Sequence, residues 1–273
     1  MTTYPLPPAV NFAVLKECNF HCRFCYSTFQ NIKDRLSDPD AEKVVRLLAD
    51  AGIEKITFVG GEPTLHTNIT GLINTAHQAG LVTTLVSNGT GLTQVLDTCA
   101  VDWVGLDLDS IHENIETQLG RGRGGHVQRT YDLADECHRR GIKLKLNTVV
   151  TALSWEENMS EAIKRIQPDR WKGFQVLPVA GQNDGKVESL LITSEQFRAW
   201  TERHVHLKVI AETNELMSLS YALIDPLGRF YASDTQGHLY GRSILDVGVE
   251  KAWASIPFHQ DRFEARGGRY DWR

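Results

Sequence analysis

The sequence predicts an α/β protein with an incomplete (β/α) barrel of six strand–helix units and a C-terminal extension. Six short apolar runs recur at 10–15, 56–59, 82–86, 101–108, 144–150 and 174–177, and helix-like segments separate them. This alternation is typical of parallel strands that are buried on both faces. A length of 273 residues, 41% of them hydrophobic and 23% charged, suits one globular α/β unit with an appendage.

The helices follow from apolar residues at helical spacing. We expect them at 40–51, 69–78, 126–140 and 155–166, and Gly52 is suited to end the first. After about residue 180 the alternation stops. There we expect a loop at 179–189, a helix at 194–204 opened by a Ser194 cap, and a hairpin at 221–232. The predicted organisation is an N-terminal tail (1–9), a partial barrel (10–178) and a C-terminal extension (179–273).

Charge and hydropathy exclude several classes of function. The chain has 29 Lys and Arg against 34 Asp and Glu, a net charge of −5, which argues against general capture of nucleic acid or anionic membranes. It has no apolar run long enough for a membrane span and no basic, apolar leader. We therefore expect a cytoplasmic protein without nucleic-acid or membrane partners.

The five cysteines are unevenly placed. Cys18, Cys22 and Cys25 fall within eight positions, whereas Cys99 and Cys137 stand alone. This is not a disulfide framework, and structural zinc usually takes four ligands in two pairs. Three thiolates in one loop fit an iron–sulfur cluster whose remaining iron is open to a small molecule. Chance spacing and a degenerate zinc site are the alternatives.

The motif Cys-x3-Cys-x2-Cys resembles that of the radical S-adenosylmethionine enzymes. Other segments resemble the viperin family of that superfamily, in order and over about residues 10–272, and the short chain is similar to its prokaryotic members. These segments are 54–63, 87–89, 119–122, 158–159, 170–175, 243–250 and 266–270.

The resemblance implies a reaction and two cofactors. Cys18, Cys22 and Cys25 would hold a four-iron, four-sulfur cluster that binds S-adenosylmethionine. Reduction would release a 5′-deoxyadenosyl radical that removes the 4′ hydrogen of CTP, UTP or GTP. Loss of the 3′ hydroxyl as water and a further one-electron reduction would then give the 3′-deoxy-3′,4′-didehydro nucleotide, an antiviral chain terminator. The electron donor would be a flavodoxin or ferredoxin. The base preference, expected to depend on the surroundings of Asn214, Leu216 and Leu219, stays open.

The resemblance also assigns a site for S-adenosylmethionine. Its residues follow predicted strands, at the carboxyl-terminal rim where barrels build active sites. Glu62 would meet the ammonium group and Arg121 the carboxylate of the methionine part. The full set is Gly60, Gly61, Glu62, Ser87, Asn88, Asp109 and Arg121. Segment 120–125 read alone also fits a phosphate loop or an RNA-binding Arg-Gly tract, although it lacks the strand that a dinucleotide fingerprint requires.

Alternation along the strands predicts a basic interior. Lys145 and Asn147 share one face of their strand while leucines occupy the other, and the same rule places Arg170 with Lys172. Helices cover the outside of a parallel barrel, so these cations should face inward, where they need a polyanion such as a triphosphate. The resemblance assigns Lys55, Lys145, Arg170 and Lys172 to the phosphates. Solvated lysines at strand starts are the alternative, most of all for Lys55.

Three further assignments rest on the resemblance. Asn147 would contact the nucleotide ribose, Arg266 would close over the phosphates, and Tyr221 would donate hydrogen or a proton. Tyr221 also suits the core of a hairpin. The family has a lysine in the loop before Ser243, but 233–242 contains none, and Arg242 is the candidate replacement.

Two other functions fit part of the sequence. A different radical enzyme, acting on a purine nucleotide or a cofactor precursor, would share Cys18 to Pro63 but has no use for 243–250 and 266–270. An iron–sulfur sensor or binding module would need the cysteines without Glu62 or Arg121.

Overall fold

The computed structural model describes residues 5–273, which form one ten-stranded sheet surrounded by α-helices. The strands are β1 (Ala9–Ala13), β2 (Lys55–Val59), β3 (Val82–Val86), β4 (Trp103–Asp107), β5 (Lys143–Val150), β6 (Arg170–Gln175), β7 (Ile210–Glu212), β8 (Leu223–Ile224), β9 (Arg229–Asp234) and β10 (Gly237–Ser243).

The strand order is that of an open barrel. It runs β10-β9-β8-β1-β2-β3-β4-β5-β6-β7, and the eight strands from β8 to β7 run parallel to one another. Strands β9 and β10 form an antiparallel edge. Within the described residues no pairing joins β7 to β8, so the ring stays open at that seam. The predicted α/β partial barrel is confirmed.

The helices lie between the strands and in the extension. They are α1 (Asp38–Asp50), α2 (Ile69–Gln78), α3 (Leu92–Thr98), α4 (Glu113–Leu119), α5 (His126–Arg139), α6 (Ser160–Ile166), α7 (Ser194–His204), α8 (Asn214–Met217), α9 (Ile244–Val247), α10 (Val249–Trp253) and α11 (Gln260–Ala265). Short 3₁₀ helices span Pro63–Leu65, Glu188–Leu190 and Val205–Leu207.

Local signals explain the ends of two helices. Gly52 follows α1 with φ +89°, the left-handed conformation that glycine adopts without strain. The predicted Ser194 cap of α7 is wrong by one residue. Thr193 is the cap, because its hydroxyl accepts from the Gln196 amide while the Gln196 side chain bonds the Thr193 amide.

The two faces of β5 show how the barrel is divided. Leu144 and Leu146 are fully buried in the main hydrophobic core, and Lys145 and Asn147 alternate with them on the opposite face. Register then aligns the polar residues across strands, since Lys145 pairs with Arg170 and Asn147 with Lys172. The barrel therefore has an apolar shell under its helices and a polar interior.

Two strand predictions needed correction. The sixth strand, expected at 174–177, spans Arg170–Gln175, because β6 pairs with β5 from Lys145 onward and its charged residues face inward. The parallel sheet also continues beyond residue 180, through β7 and β8. The extension thus shares one sheet with segment 10–178, and the boundary at 178/179 stays a prediction.

Candidate active site

The three clustered cysteines lie in the loop between β1 and α1. All three residues are half-buried, and none forms a disulfide. The Cys18 sulfur accepts from the Phe20 backbone N–H at 3.4 Å and from Asn88 Nδ2 at 3.9 Å, and the Cys22 thiol donates to the Gly120 carbonyl at 3.8 Å. The loop is thereby tied to the ends of β3 and α4, at the carboxyl-terminal rim of the barrel.

The chemistry of this loop fits an iron–sulfur cluster. Burial raises the pKa of all three thiols, so a bound cation is needed to hold them as thiolates at neutral pH. N–H groups directed at Cys18 are of the kind that stabilise a metal-bound thiolate. Within residues 5–273 no group of His, Cys, Asp or Glu is arranged around a single metal ion. A four-iron cluster instead takes each cysteine on a separate iron.

Gly60 and Gly61 lie directly against the start of the cysteine loop. A Cβ at Gly60 would stand 2.3 Å from the Leu15 carbonyl oxygen, and one at Gly61 2.0 Å from that of Glu17. The Gly61 amide donates to Leu15, and the Glu62 amide donates to Glu17. The missing side chains of Gly60 and Gly61 therefore make room for the backbone that leads to Cys18.

Glu62 is a buried hydrogen-bond hub. Its Oε1 accepts from the Thr64 amide (3.1 Å), the Thr64 hydroxyl (2.8 Å) and the Ser87 hydroxyl (2.7 Å), and its Oε2 accepts from the Asn88 amide at 2.7 Å. Asn88 in turn donates to Asn19 and Cys18. The carboxylate therefore joins the ends of β2 and β3 to the cysteine loop.

Arg121 and Asp109 form a buried ion pair beside this hub. Arg121 Nε donates to Asp109 at 2.7 Å and Nη1 to Asp107 at 3.1 Å, which leaves Nη2 free of both carboxylates. Glu116, which the sequence reading missed, accepts from the backbone amides of Asp109 and Ser110. Burial raises the pKa of Glu116 to about 8. The Glu116 carboxyl group thus fixes the backbone of Asp109, one of the residues predicted to bind S-adenosylmethionine.

The cations Lys55, Lys145 and Arg170 lie together inside the barrel. Lys55 bonds the Tyr270 hydroxyl and lies 5.0 Å from the Trp103 ring. Lys145 makes no hydrogen bond or ion pair within residues 5–273. Burial and then neighbouring cations lower the pKa of Lys55 to about 7, and burial lowers the pKa of Lys145 to about 8. This part of the interior is an unneutralised positive cluster.

The C-terminal segment covers that cluster. Arg170 donates to the Gly267 carbonyl at 2.6 Å and stacks on the Tyr270 ring at 3.8 Å. Trp103 Nε1 donates to the Trp272 carbonyl at 3.0 Å. Tyr270 and Trp272 were not predicted as site residues, although the resemblance of 266–270 to the viperin family was a signal.

Lys172, Arg266 and Tyr221 meet at one carboxylate, that of Glu212. Lys172 and the Tyr221 hydroxyl both bond Glu212, and Arg266 Nη1 lies 3.8 Å from it. The Arg266 guanidinium also stacks on the Tyr221 ring at 3.4 Å. The sequence reading missed Glu212, because a three-residue strand in a mixed segment has no recognisable period.

Unpartnered polar atoms mark where a ligand would bind. Asn147 donates to Asp107, but its Oδ1 is buried without a partner within the described chain, as is Arg170 Nε. Buried polar atoms are normally paired, so each has capacity for a bound molecule. Arg242 is exposed, and its amide bonds Ser255 away from these groups. The structure gives no support to Arg242 as the replacement for the family's lysine.

The candidate site thus combines a cluster of cations inside a partial barrel with three cysteines at the barrel rim. The family model described as the Radical SAM superfamily matches residues 14–164, more than half of the chain. The chain therefore belongs to the radical SAM superfamily.

Curated relatives narrow the assignment. An S-adenosylmethionine-dependent nucleotide dehydratase of Flammeovirga pacifica is 38% identical over 97% of this chain and 96% of its own length. One of Lacinutrix mariniflava is 37% identical over 97% of this chain, which spans 59% of that relative. The dehydratase RSAD2 of Danio rerio is 32% identical over 98% of this chain and 79% of its own. Within the superfamily, the chain belongs to the S-adenosylmethionine-dependent nucleotide dehydratases, the viperin family.

Solved structures support the fold. SuiB of Streptococcus suis bound to S-adenosylmethionine aligns with TM-score 0.66 at 19% identity, over 83% of this chain and 60% of that one. The structure of anSMEcpe with bound AdoMet and Kp18Cys peptide aligns with TM-score 0.69 at 14% identity, over 94% of this chain and 82% of that one.

The predictions of the family and of a radical SAM enzyme are confirmed, and the predicted cofactors, a four-iron, four-sulfur cluster and S-adenosylmethionine, are those of this superfamily. No helix in residues 5–273 has the length and apolar character of a membrane span.

Proposed function

We propose that this protein converts a ribonucleoside triphosphate into its 3′-deoxy-3′,4′-didehydro form by loss of the 3′ hydroxyl as water. The observation that carries the proposal is the charge of the barrel interior. Lys55, Lys145, Arg170, Lys172 and Arg266 are gathered there, and within residues 5–273 the only carboxylate that contacts any of them is Glu212. When all five are protonated, they exceed the one carboxylate by four positive charges, which matches the roughly four negative charges of an ionised triphosphate. Burial lowers the pKa of Lys55, Lys145 and Lys172, and bound phosphates would favour their ammonium forms.

The rim residues would hold the cofactors. Cys18, Cys22 and Cys25 are the proposed cluster ligands, and Asn88 supports Cys18 through its amide. When bound, the cluster and S-adenosylmethionine supply the one-electron chemistry that breaks the C4′–H bond. Glu62 and Arg121 would meet the methionine part, with Gly60, Gly61, Ser87, Asn88 and Asp109 shaping the surroundings. Arg121 would use Nη2, its remaining nitrogen, for the carboxylate.

The interior residues would bind and orient the nucleotide. The unpaired Oδ1 of Asn147 would accept from a ribose hydroxyl, one layer nearer the rim than Lys145 on the same strand. Arginine offers the phosphates two parallel hydrogen bonds and lysine a point charge. Tyr221, at the seam between β7 and β8, would donate a proton or hydrogen. The C-terminal segment excludes water from this end of the pocket.

The remaining partners follow from the reaction. A flavodoxin or ferredoxin would supply electrons, and we propose a cytoplasmic location without nucleic-acid or membrane partners. The net charge of −5 supports the absence of nucleic-acid and anionic-membrane partners.

An anaerobic assay tests the function. The cluster is reconstituted, and 5′-deoxyadenosine is measured with a reductant and each of ATP, CTP, GTP and UTP, while mass spectrometry identifies a product lighter by one water. We expect at least one triphosphate to raise 5′-deoxyadenosine formation, and Lys145→Met to abolish that stimulation while exposed Lys164→Met retains it. If no triphosphate raises cleavage, the protein is another radical enzyme. If S-adenosylmethionine is never cleaved, the cluster serves a sensor or binding module.

A further inference from the structure

Glu212 is the least exposed charged residue among those facing the barrel interior, with 0% of its surface accessible. Its two oxygens have separate partners. Oε1 contacts Lys172 Nζ and lies 3.8 Å from Arg266 Nη1, while Oε2 accepts from the Tyr221 hydroxyl. No oxygen of this carboxylate is left without a partner.

The three partners come from three different parts of the chain. Lys172 is on β6, Tyr221 lies just before β8, and Arg266 follows α11. Glu212 ends β7, the strand at the open seam of the barrel. One side chain therefore connects both sides of the seam with the C-terminal segment.

The carboxylate is charged in this setting. Burial raises the pKa of Glu212, but Lys172 and Arg266 lower it by more, so it lies below the usual range. Without this anion, Lys172 and Arg266 would be buried with no opposite charge, which is strongly unfavourable. Before any substrate arrives, Glu212 thus neutralises part of the basic cluster.

The same carboxylate opposes the binding of a polyanion. A carboxylate that bonds Lys172 repels a phosphate competing for the same ammonium group, and in a buried site such repulsion is poorly screened. The Lys172 ammonium group attracts a phosphate with its full positive charge only after its bond to Glu212 is broken. The Tyr221 hydroxyl, meanwhile, points its proton at Glu212 and not at a substrate.

We propose that Glu212 is a resident counter-ion, a positioning residue that holds Lys172, Arg266 and Tyr221 together until the substrate's phosphates replace it on Lys172. The inference rests on the proposed triphosphate substrate. Glu212 is then the anion in a site otherwise made of cations. It stabilises the free protein and at the same time weakens the binding of the substrate.

The experiment compares Glu212→Gln with wild type. Binding of CTP, UTP, GTP and ATP to the cluster-loaded, unreduced protein is measured by calorimetry, and thermal midpoints are recorded with and without the tightest ligand. We expect Glu212→Gln to melt several degrees lower when free, to bind that ligand about tenfold more tightly, and to gain a larger ligand-induced shift in midpoint. Equal or weaker binding overturns the inference.

A matched control is Asp225→Asn. Asp225 is also fully buried, and its ion-pair partner is Arg229, which does not belong to the basic cluster. We expect it to lower the thermal midpoint without changing the dissociation constant. A tenfold change in its affinity would also overturn the inference, since general loosening would then explain both variants.

A double variant covers the case in which Glu212→Gln does not fold. Lys172→Met alone leaves a buried anion facing the phosphates, so binding should weaken by at least tenfold. Lys172→Met/Glu212→Gln removes the buried anion together with its lysine, while Arg266 keeps its hydrogen bonds to Ser220, and it should recover about tenfold of that loss. Binding that is weaker still refutes the counter-ion role. If wild type binds no triphosphate, the proposed function itself fails and this inference falls with it.

Discussion

Two lysines deep in the pocket make triphosphate binding depend on pH. Burial, and then the charges of Lys145 and Arg170, lower the pKa of Lys55 to about 7. Burial lowers the pKa of Lys145 to about 8 despite the opposite influence of Glu212. A bound triphosphate would raise the pKa of both, because its negative charge favours the ammonium form. Binding at alkaline pH must therefore take up protons.

The sign and size follow from linkage. Below pH 7 both lysines of the free protein are protonated, so affinity changes little. As pH rises through 7 and then 8, each lysine costs up to about tenfold in affinity per pH unit, until the pKa of the complex is reached. Between pH 7 and pH 9 we expect Lys55 to contribute roughly fiftyfold and Lys145 roughly tenfold, so that the dissociation constant rises several hundredfold, or about 3.6 kcal/mol.

Calorimetry in two buffers of different ionisation enthalpy measures the protons directly. At pH 8.5 wild type should take up between about one and two protons per triphosphate, and Lys55→Met about one fewer. Lys164→Met, which removes an exposed lysine on α6, is the control and should match wild type. Heats that do not depend on the buffer, together with a dissociation constant that changes less than about threefold from pH 7 to 9, would refute the reasoning.

Three further substitutions test other parts of the site. Asn147→Leu removes the unpaired amide oxygen and should weaken triphosphate binding about tenfold in calorimetry, with little change in the urea midpoint; unchanged affinity contradicts a ribose contact. Gly61→Ala would place a Cβ 2.0 Å from a backbone oxygen and should lower the free energy of unfolding by about 3 kcal/mol or more. Gly185→Ala is the control, because Gly185 has open space around it, and it should cost about 1 kcal/mol. Equal urea midpoints for the two variants contradict the packing argument. Arg121→Met leaves Asp109 buried without its cation and should cost about 3–5 kcal/mol at pH 8 and less at pH 5, where protonation neutralises the carboxyl; a loss independent of pH in urea titrations speaks against the ion pair.

Most of the barrel was predictable because its signals are local. Leu144 and Leu146 alternate with Lys145 and Asn147 within four residues, and the pattern alone separates the outer face from the inner one. The sixth strand was predicted to begin at residue 174, whereas it begins at Arg170, because charged residues at alternate positions interrupt its apolar run. Strand β7 was missed because a segment of three residues is too short for a period. The hairpin expected at 221–232 is confirmed as β8 and β9, but the parallel pairing of β8 with β1 was not predicted.

The candidate site was predictable in part. The cysteine spacing and the resemblance named the residues at the rim, and the structure places Ser87, Asn88 and Glu62 in one hydrogen-bond network with Cys18. Whether each binds as assigned stays a prediction. The sequence had no means of showing that Glu62 accepts four hydrogen bonds from within the protein, since its donors lie on different loops.

Sequence by itself determined the class of enzyme, the parallel barrel and the inward-facing cations, because these depend on spacing within a few residues. Only the tertiary structure decided how those cations are neutralised. Lys172 meets Glu212 across 40 residues, and Lys55 meets Tyr270 across 215. Such partners are brought together by strand register and by the path of the C-terminal segment, and neither leaves a local pattern to recognise. The charge balance of the pocket is therefore a property of the folded chain.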